Sequence, residues 1–305
     1  MIRRGPPSER PPTALLQFGV VNLDKPPGPS SHQVSGWIRD AVAETLSEAG
    51  KTPIDRASHA GTLDPKVTGC LPLMLGHATR LAPAFLEGRK EYVAVLECHG
   101  PVPTDARSVI AEFEGPLYQK PPRKSAVSRR LRVREIYDLE VLETSERKVL
   151  LRIRCESGTY VRKLCHDLGL ALGTGAHMGH LRRTETAPFD DSTLVSAYEL
   201  LDALAFWNED DDPDPLLEIV QPAERILEGL PGITIAPSAA ESVATGAPVY
   251  APGVIDADIE FVGEDGSPPL VACYTPDGAA ICLGKLVGDP TADTGTVVAL
   301  ERVLV

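Results

Sequence analysis

The spacing of apolar side chains divides this chain into a mixed first part and a strand-rich second part. Residues 34–46 place Val34, Ile38 and Val42 on one face at helical spacing, after a pair of serines that can cap a helix. Residues 148–155 alternate apolar side chains with positions that include two arginines, which predicts a strand. Beyond residue 225, short β-branched segments separated by Gly and Pro predict a small β-domain, with strands at 233–236, 270–274, 280–287 and 296–305.

The length and composition favour a two-domain globular protein. The chain has 305 residues and 43% hydrophobic content, against a typical domain size of ~150 residues. No apolar run reaches the ~18 residues of a membrane span, and residues 1–13 lack the apolar centre of a secretory signal. The six cysteines include no C-x-x-C pair, so we expect reduced, mostly buried thiols in a cytoplasmic protein, with neither disulfides nor zinc.

Charge is distributed unevenly along the chain. The net charge is −13, but residues 191–305 hold 3 basic and 21 acidic residues, whereas residues 1–190 hold 27 basic and 22 acidic ones. The stretch 119–134 contains seven basic residues and no acidic one, which predicts salt-dependent attraction of a polyanion, although a solvated basic loop has the same composition. The acidic excess of the second half predicts a surface adapted to high salt.

The segment from His59 to Pro65, with the sequence HAGTLDP, is the leading candidate for a functional loop. Proline fixes its own φ and keeps the preceding residue out of the helical region, so the Asp-Pro step restrains the backbone of Asp64. Gly61 allows the backbone to approach a ligand closely. This arrangement would hold one carboxylate in front of a substrate, although an aspartate in an ordinary turn has the same local sequence.

Arg162 is the second candidate, because it lies in the first turn of a predicted helix whose apolar positions begin at Val161. An arginine at a helix N-terminus faces the unfavourable end of the helix dipole. A nearby carboxylate would compensate, and Asp64 is the carboxylate that we expect there. An arginine that is simply exposed to solvent is the alternative.

Five segments, in order along the chain, carry a resemblance to a known family. Together they resemble the TruB/dyskerin family of RNA pseudouridine synthases, and the likeness extends to the end of the chain. The segments are GVVNLDKPPGPSS at 19–31, HAGTLDP at 59–65, KEY at 90–92, GTYVR at 158–162 and GAHMGHLRR at 175–183. Residues 118–137 resemble the archaeal and eukaryotic branch, which is guided by box H/ACA RNA, more closely than bacterial TruB.

The resemblance implies an α+β fold with two domains. A pseudouridine synthase domain at 18–222, with a mixed, largely antiparallel sheet flanked by helices, would precede a small β-barrel PUA domain at 226–305 that binds RNA. Residues 1–17 would form a flexible extension. Residues 119–134 would correspond to the thumb loop of the family, which closes over substrate RNA.

The resemblance also implies roles for individual residues. Asp64 matches the catalytic aspartate, Arg162 the arginine that pairs with it, and Tyr92 the tyrosine that stacks on the target base. An aspartate buried against Arg162 would stay ionised, and removing either partner would destabilise the fold by several kcal/mol. The implied substrate-binding residues are Lys25, His59, Gly61, Thr62, Tyr160 and Leu181. The implied RNA-binding residues of the basic loop are Lys120, Arg123, Lys124, Arg129, Arg130, Arg132 and Arg134. No cofactor or metal is implied.

The implied activity is isomerisation of uridines in rRNA and tRNA by the catalytic subunit of a box H/ACA ribonucleoprotein. The implied partners are the guide RNA and three small proteins: a scaffold protein, a thumb-loop-binding protein and a kink-turn-binding protein. Two features depart from the family: the PUA-like tail is strongly acidic, and His180 replaces a glutamate that is usual in this branch. A stand-alone tRNA T-loop enzyme and a non-catalytic RNA-binding scaffold are the alternatives.

Overall fold

The computed structural model of this protein describes residues 4–120, 130–257, 259 and 268–305. The larger of its two β-sheets has the strand order β10-β1-β3-β8-β4-β7-β6-β5, with β2 beside β3 and β9 beside β8. These strands are β1 (Gly19–Lys25), β2 (Ala57–His59), β3 (Thr68–Leu75), β4 (Lys90–Cys98), β5 (Gly115–Gln119), β6 (Arg132–Thr144), β7 (Lys148–Cys155), β8 (Ala176–Thr186), β9 (Phe189–Asp190) and β10 (Gln221–Pro222). The strand predicted at 148–155 is therefore confirmed.

One parallel junction joins the two halves of this largely antiparallel sheet. Strands β3 and β8 run parallel and pair through Thr68 with Arg182 and through Gly69 with Arg183. Gly69 has a φ of +97°, and a Cβ there would lie 2.2 Å from the carbonyl oxygen of Arg183, so only glycine permits this approach. We call this junction the seam. Strands β1, β2, β3 and β10 lie on one side of it, and β8 lies on the other with β4, β5, β6 and β7.

Helices flank the larger sheet and cover its apolar side chains. The α-helices are α1 (Pro12–Gln17), α2 (Ser31–Glu48), α3 (Ala84–Glu87), α4 (Ala106–Ala111), α5 (Val161–Ala171), α6 (Ala197–Glu209), α7 (Asp214–Ile219) and α8 (Pro237–Ala244). Helix α2 begins with a capping box between Ser30 and Gln33, and it buries Val34, Ile38 and Val42 in the main core. The helix predicted from this apolar face is confirmed.

The second sheet has the strand order β12-β16-β15-β14-β11-β13. Its strands are β11 (Gly232–Ile235), β12 (Val249–Tyr250), β13 (Val254–Ala257), β14 (Leu270–Tyr274), β15 (Ala280–Leu286) and β16 (Thr296–Val303). It has its own hydrophobic core, which includes Ile233, Val243 and Val271. The four strands predicted in this part of the chain are all present, with ends within two residues of the prediction.

The N-terminal residues are folded against the rest of the molecule, so the expectation of a flexible extension is wrong for residues 4–17. Arg10 is 4% exposed, and its guanidinium donates two hydrogen bonds of 2.7 Å to the carboxylate of Glu224. The guanidinium of Arg4 lies 3.5 Å from the ring centre of Phe18. Leu15 and Leu16 are buried in the main core. These contacts compensate the conformational entropy that ordering the segment costs.

The two sheets share a hydrophobic cluster. Phe18, Phe85 and Phe189 from the first part of the chain pack in one cluster with Leu270 and Leu283 from the second sheet. All six cysteines are buried as free thiols, as predicted. Within the described residues, none of the helices has the length and apolar character needed to cross a membrane.

Candidate active site

The structure brings Asp64 and Arg162 together as an ion pair. Asp64 lies in the loop between β2 and β3 (residues 60–67, the Asp64 loop), and its Oδ2 contacts Nη2 of Arg162 in the first turn of α5. The expectation that this pair is buried is wrong, because the side chains of Arg162 and Asp64 are 54% and 53% exposed. Water reaches both partners, so removing one of them would change stability only slightly. The same exposure leaves the carboxylate accessible to a substrate.

A buried lysine holds the backbone of the Asp64 loop from below. Lys25 has no measurable exposure, and its ammonium donates hydrogen bonds of 3.0 Å to the carbonyl of Pro65 and 2.9 Å to the carbonyl of Val67. Burial lowers the pKa of Lys25. The amide of Gly28 also donates to the Pro65 carbonyl at 2.8 Å, and the amide of Val67 donates to the Asp64 carbonyl at 2.9 Å. These bonds fix the backbone of Asp64 and of the residues that follow it.

The beginning of helix α2 supplies a second attachment for the loop. The hydroxyl of Ser31 accepts a 2.8 Å hydrogen bond from the amide of Leu63 and donates one of 3.1 Å to the Leu63 carbonyl. Leu63 itself packs in the main core, directly before Asp64 in sequence. From the local sequence, Ser31 is only a possible cap for α2. Its place in the GVVNLDKPPGPSS segment was the available signal for this second contact.

Arg183 is the third attachment, and the sequence analysis did not nominate it. Its side chain is among the largest that are fully buried, with 2% exposure. Its Nε donates to the carbonyl of Cys70 at 2.7 Å, and its Nη2 donates to the carbonyl of Gly61 at 3.2 Å. The signal was its place as the second arginine of the GAHMGHLRR segment. We call Lys25, Ser31 and Arg183 the loop anchors.

Tyr92 lies across the seam from the Asp64 loop. It is on β4, where it pairs with Ile153 of β7 and with Arg183 of β8. The residue is only 9% exposed, so in this conformation a base could contact only a small part of the ring. Burial raises the pKa of the Tyr92 hydroxyl, and the positive charge of Arg183 opposes that rise. The hydroxyl is therefore protonated at neutral pH.

The remaining predicted residues of the Asp64 loop differ in exposure. His59 is half-buried, and its Nδ1 has no hydrogen-bond partner among the described residues. Burial, helped by the positive charges of Arg183 and His32, lowers the pKa of His59, which keeps the imidazole neutral. Gly61 has a φ of +84°, which favours glycine, and Thr62 is exposed.

Tyr160 and Leu181 lie on the same side of the seam as Tyr92. Tyr160 is the N-cap residue of α5, and its backbone amide donates a 2.8 Å hydrogen bond to Oε1 of Gln119. Leu181 is half-buried on β8, opposite Ala94 of β4. Gln119, on β5, thereby links the beginning of the predicted basic loop to the helix that carries Arg162.

The predicted basic loop divides into several parts. Arg123, Lys124 and Arg129 lie outside the described residues, and Lys120 and Arg130 are exposed. The assignment of Arg132 and Arg134 to a loop is wrong, because β6 begins at Arg132 and pairs with β5 in a hairpin. Arg134 also forms a 2.6 Å ion pair with Glu156.

A cavity lies beside the ion pair. Its volume is about 330 Å³, and five of its seven lining side chains are basic or imidazole groups, with no acidic one. The lining residues are Lys120, Arg162, Lys163, His166, Ala176, His177 and Met178. Because Arg162 belongs to both the cavity and the ion pair, an anionic ligand in the cavity would lie next to the Asp64 carboxylate.

A second ion pair crosses the seam. Arg182 of β8 donates two hydrogen bonds of 2.9 and 3.0 Å to the carboxylate of Asp24 on β1. The partners are 39% and 37% exposed. The seam is therefore spanned by a partly exposed arginine, Arg182, and a buried one, Arg183.

Comparisons with known proteins agree with this arrangement. The DKCLD domain model matches residues 3–35, the model for the N-terminal domain of TruB family pseudouridylate synthases matches 50–106, and the model for the C-terminal domain of tRNA pseudouridylate synthase B matches 162–228. A Halobacterium salinarum protein named probable tRNA pseudouridine synthase B is 63% identical over 310 residues, which are 99% of each chain.

Two solved structures are similar over almost the whole chain. A chain from a Cbf5-Nop10-Gar1 complex has a TM-score of 0.89 and 42% identity, covering 98% of this chain and 89% of that one. A chain from an H/ACA ribonucleoprotein bound to a substrate RNA containing 2′-deoxyuridine has a TM-score of 0.86 and 41% identity, covering 99% and 90%. These matches include both sheets, so the predicted α+β fold with a PUA-like second sheet is confirmed.

Proposed function

Because this chain belongs to the TruB family of RNA pseudouridine synthases, and is therefore an enzyme that converts uridine to pseudouridine, we propose that Asp64, Arg162 and Tyr92 are its catalytic residues. The observation that carries this proposal is the half-exposed Asp64–Arg162 ion pair on a loop that is anchored from below. The residues that surround the target uridine in this proposal are His59, Gly61, Thr62, Tyr160 and Leu181. The expectation that Lys25 contacts the substrate is wrong, because its side chain is fully buried and supports the loop backbone instead.

The reaction exchanges one bond to the ribose for another. The bond between N1 of the base and C1′ of ribose breaks, the base turns, and a bond between C5 and C1′ forms. The proton on C5 is lost and N1 gains a proton, so the isomerisation balances without a cofactor. C1′ becomes electron-deficient as the first bond breaks, and one fixed carboxylate can stabilise or attack it. Asp64 is the carboxylate in position for this role.

Arg162 contributes orientation. Its guanidinium contacts one carboxylate oxygen of Asp64, which restricts how the side chain can rotate. It is also the second residue of α5, whose first turn contains no acidic residue of its own. The positive end of the helix dipole therefore adds to the attraction of the carboxylate toward this place.

The target base must leave its stack before the reaction, at a cost of a few kcal/mol. Stacking on an aromatic side chain returns roughly 1–3 kcal/mol per base. In our proposal the flipped base contacts the exposed part of the Tyr92 ring, next to Leu181. The basic cavity beside Arg162 would attract the neighbouring phosphates of the RNA.

We assign this enzyme to a guide-dependent particle. The support is its similarity, at 42% and 41% identity, to chains from a Cbf5-Nop10-Gar1 complex and an H/ACA ribonucleoprotein. The proposed partners are a box H/ACA guide RNA, a small scaffold protein, a thumb-loop-binding protein and a kink-turn-binding protein. The proposed targets are uridines in rRNA and tRNA. The second sheet, at residues 226–305, would hold the guide RNA as a PUA domain.

A stand-alone tRNA activity is the second candidate function. The observation that favours it is the name of the Halobacterium salinarum relative, which specifies tRNA. Both candidates use the same active site, so they differ only in how the RNA is delivered.

Release of tritium from uracil labelled at C5 tests both candidates. The enzyme is assayed in high-salt buffer with an unguided tRNA, and separately with a target RNA in a reconstituted H/ACA particle, each beside Asp64→Asn. We expect release with the guided RNA that disappears in Asp64→Asn. Release from bare tRNA alone would replace the guided assignment with the stand-alone one. Normal release by Asp64→Asn would overturn the assignment of Asp64.

A further inference from the structure

One buried guanidinium connects the two sides of the active site. Arg183 pairs with Tyr92 across β8 and β4, and with Gly69 across the seam between β8 and β3. Its side chain donates to the carbonyls of Gly61 and Cys70, which lie before and after Asp64 in the chain. Its positive charge also faces the hydroxyl of Tyr92 and opposes the rise of that group's pKa. A single residue thus contacts the Asp64 loop and the strand that follows it through its side chain, and lies opposite the proposed stacking residue through strand pairing.

Strand pairing alone does not fix the distance between the Asp64 loop and Tyr92. Strands β3 and β8 pair through only two described positions, whereas β4 and β8 pair along most of their length. Asp64 lies on the β3 side of the seam, and Tyr92 and Arg162 lie on the β8 side. The relative position of the carboxylate and the tyrosine therefore depends on side chains that cross a short junction.

The buried charge of Arg183 lowers the stability of the folded protein. Among the described residues no salt bridge joins it to a carboxylate, and the recorded acceptors of its side chain are two carbonyls. A cation at 2% exposure with only such partners opposes folding. Buried polar groups that stability does not favour occur most often where function requires a fixed geometry.

We propose that Arg183 is a positioning residue, which sets the distance between the Asp64 carboxylate and the Tyr92 ring across the seam. This proposal rests on the proposed catalytic roles of Asp64 and Tyr92. The planar guanidinium can reach the carbonyls of Gly61 and Cys70 at once because its donors point in fixed, different directions, while strand pairing keeps Arg183 opposite Tyr92. A lysine keeps the charge but has one compact donor group, so it cannot hold both carbonyls in the same geometry.

The test compares Arg183→Lys with Arg182→Lys, the neighbouring arginine that also crosses the seam but is partly exposed. The single-turnover rate of C5 tritium release and the dissociation constant for the same RNA are measured for both variants. We expect Arg183→Lys to lower the rate at saturating enzyme at least 30-fold, with the dissociation constant changed less than threefold. We expect Arg182→Lys to stay within threefold of the parent in both quantities. A merely structural role would weaken RNA binding and rate together.

A second variant keeps the proposal testable if Arg183→Lys does not fold. Tyr92→Phe removes only the hydroxyl that the charge of Arg183 faces and keeps the ring. We expect it to lower the rate without weakening RNA binding, and the effect of Arg183→Lys to be smaller in the Tyr92→Phe background than in the parent. A normal rate for Tyr92→Phe would overturn the positioning role. So would rate losses of Arg183→Lys and Tyr92→Phe that simply add in the double variant. Equal rate losses in Arg183→Lys and Arg182→Lys would overturn it as well. Turnover by the parent and by Asp64→Asn reports separately on the proposed function.

Discussion

The exposed tip of the Asp64 loop and its buried anchors differ in how their charged groups affect stability. At the tip, Asp64 and Arg162 form an ion pair that is more than half exposed. Beneath it, Lys25 and Arg183 carry charges with almost no exposure, and carbonyl groups rather than carboxylates accept their recorded side-chain hydrogen bonds. Solvent screens the tip, so it contributes little to stability, whereas removing an anchor leaves buried carbonyl groups without a donor. The reactive group can therefore be exposed while its backbone remains fixed.

The largest effect on this comparison should come from Lys25→Met. Its removal leaves the carbonyl of Val67 without its recorded side-chain donor and takes away one of the two donors to the carbonyl of Pro65. We expect the free energy of unfolding to fall by about 2–4 kcal/mol, and activity to fall with it. Chemical denaturation measures the change. The matched control is Lys66→Met, which alters an exposed lysine of the same loop and should change stability by less than ~0.5 kcal/mol. Equal free energies of unfolding for Lys25→Met and Lys66→Met would show that Lys25 does not stabilise the loop.

Arg162→Gln should have a large effect on rate and a small one on stability. Without the guanidinium, the Asp64 carboxylate loses its oriented partner but stays hydrated. We expect the single-turnover rate to fall about 100-fold, equivalent to ~2.7 kcal/mol, while stability changes by less than ~1 kcal/mol. Arg154→Gln is the control, because Arg154 is also exposed and paired, with Glu91 at 2.6 Å. A rate loss that only follows a loss of stability would place Arg162 among the structural residues.

Lys90 provides a pH test of the buried region. It is 3% exposed, and burial together with the charge of Arg183 lowers its pKa to about 8. Between about pH 8 and 10.5 the unfolded chain keeps this proton while the folded protein releases it, so the Lys90 contribution to stability rises with pH. We expect the parent to gain roughly 1–3 kcal/mol over this window relative to Lys90→Met. Parallel stability curves for the two proteins would contradict the burial of the charge.

Ser31→Ala should have the smallest effect. It removes the hydroxyl that contacts the amide and the carbonyl of Leu63 inside the core. We expect a loss of about 1–2 kcal/mol in unfolding free energy, because a buried donor and acceptor lose their partner. The control is Ser47→Ala, an exposed serine of the same helix whose hydroxyl contacts the carbonyl of Ala43. If both variants lost the same unfolding free energy, the contact of Ser31 with Leu63 would contribute nothing beyond the effect of a serine in this helix.

The sequence was sufficient to predict the tip of this site. An arginine at a helix N-terminus is stabilised by a nearby negative charge, and the structure places Asp64 there. Apolar periodicity likewise predicted α2, β7 and four strands of the second sheet, because these elements each have one face in a core.

The burial of the anchors could not be predicted from the sequence, for a physical reason. Lysine and arginine are usually exposed, so composition gives no sign that Lys25 or Arg183 is buried. The exposure of the ion pair and the folding of the N-terminus depend on residues distant in sequence, such as the Arg10–Glu224 contact across 214 positions. Local patterns do not record such contacts.

The most direct test of the comparison is to measure rate and stability side by side in Asp64→Asn. The two quantities are the single-turnover rate of C5 tritium release from the RNA that the parent modifies, and the free energy of unfolding in denaturant. We predict a rate at least ~1,000-fold lower, with stability within about 1 kcal/mol of the parent, because the lost charge is exposed. A rate within tenfold of the parent, or a loss of stability as large as that of Lys25→Met, would contradict the account.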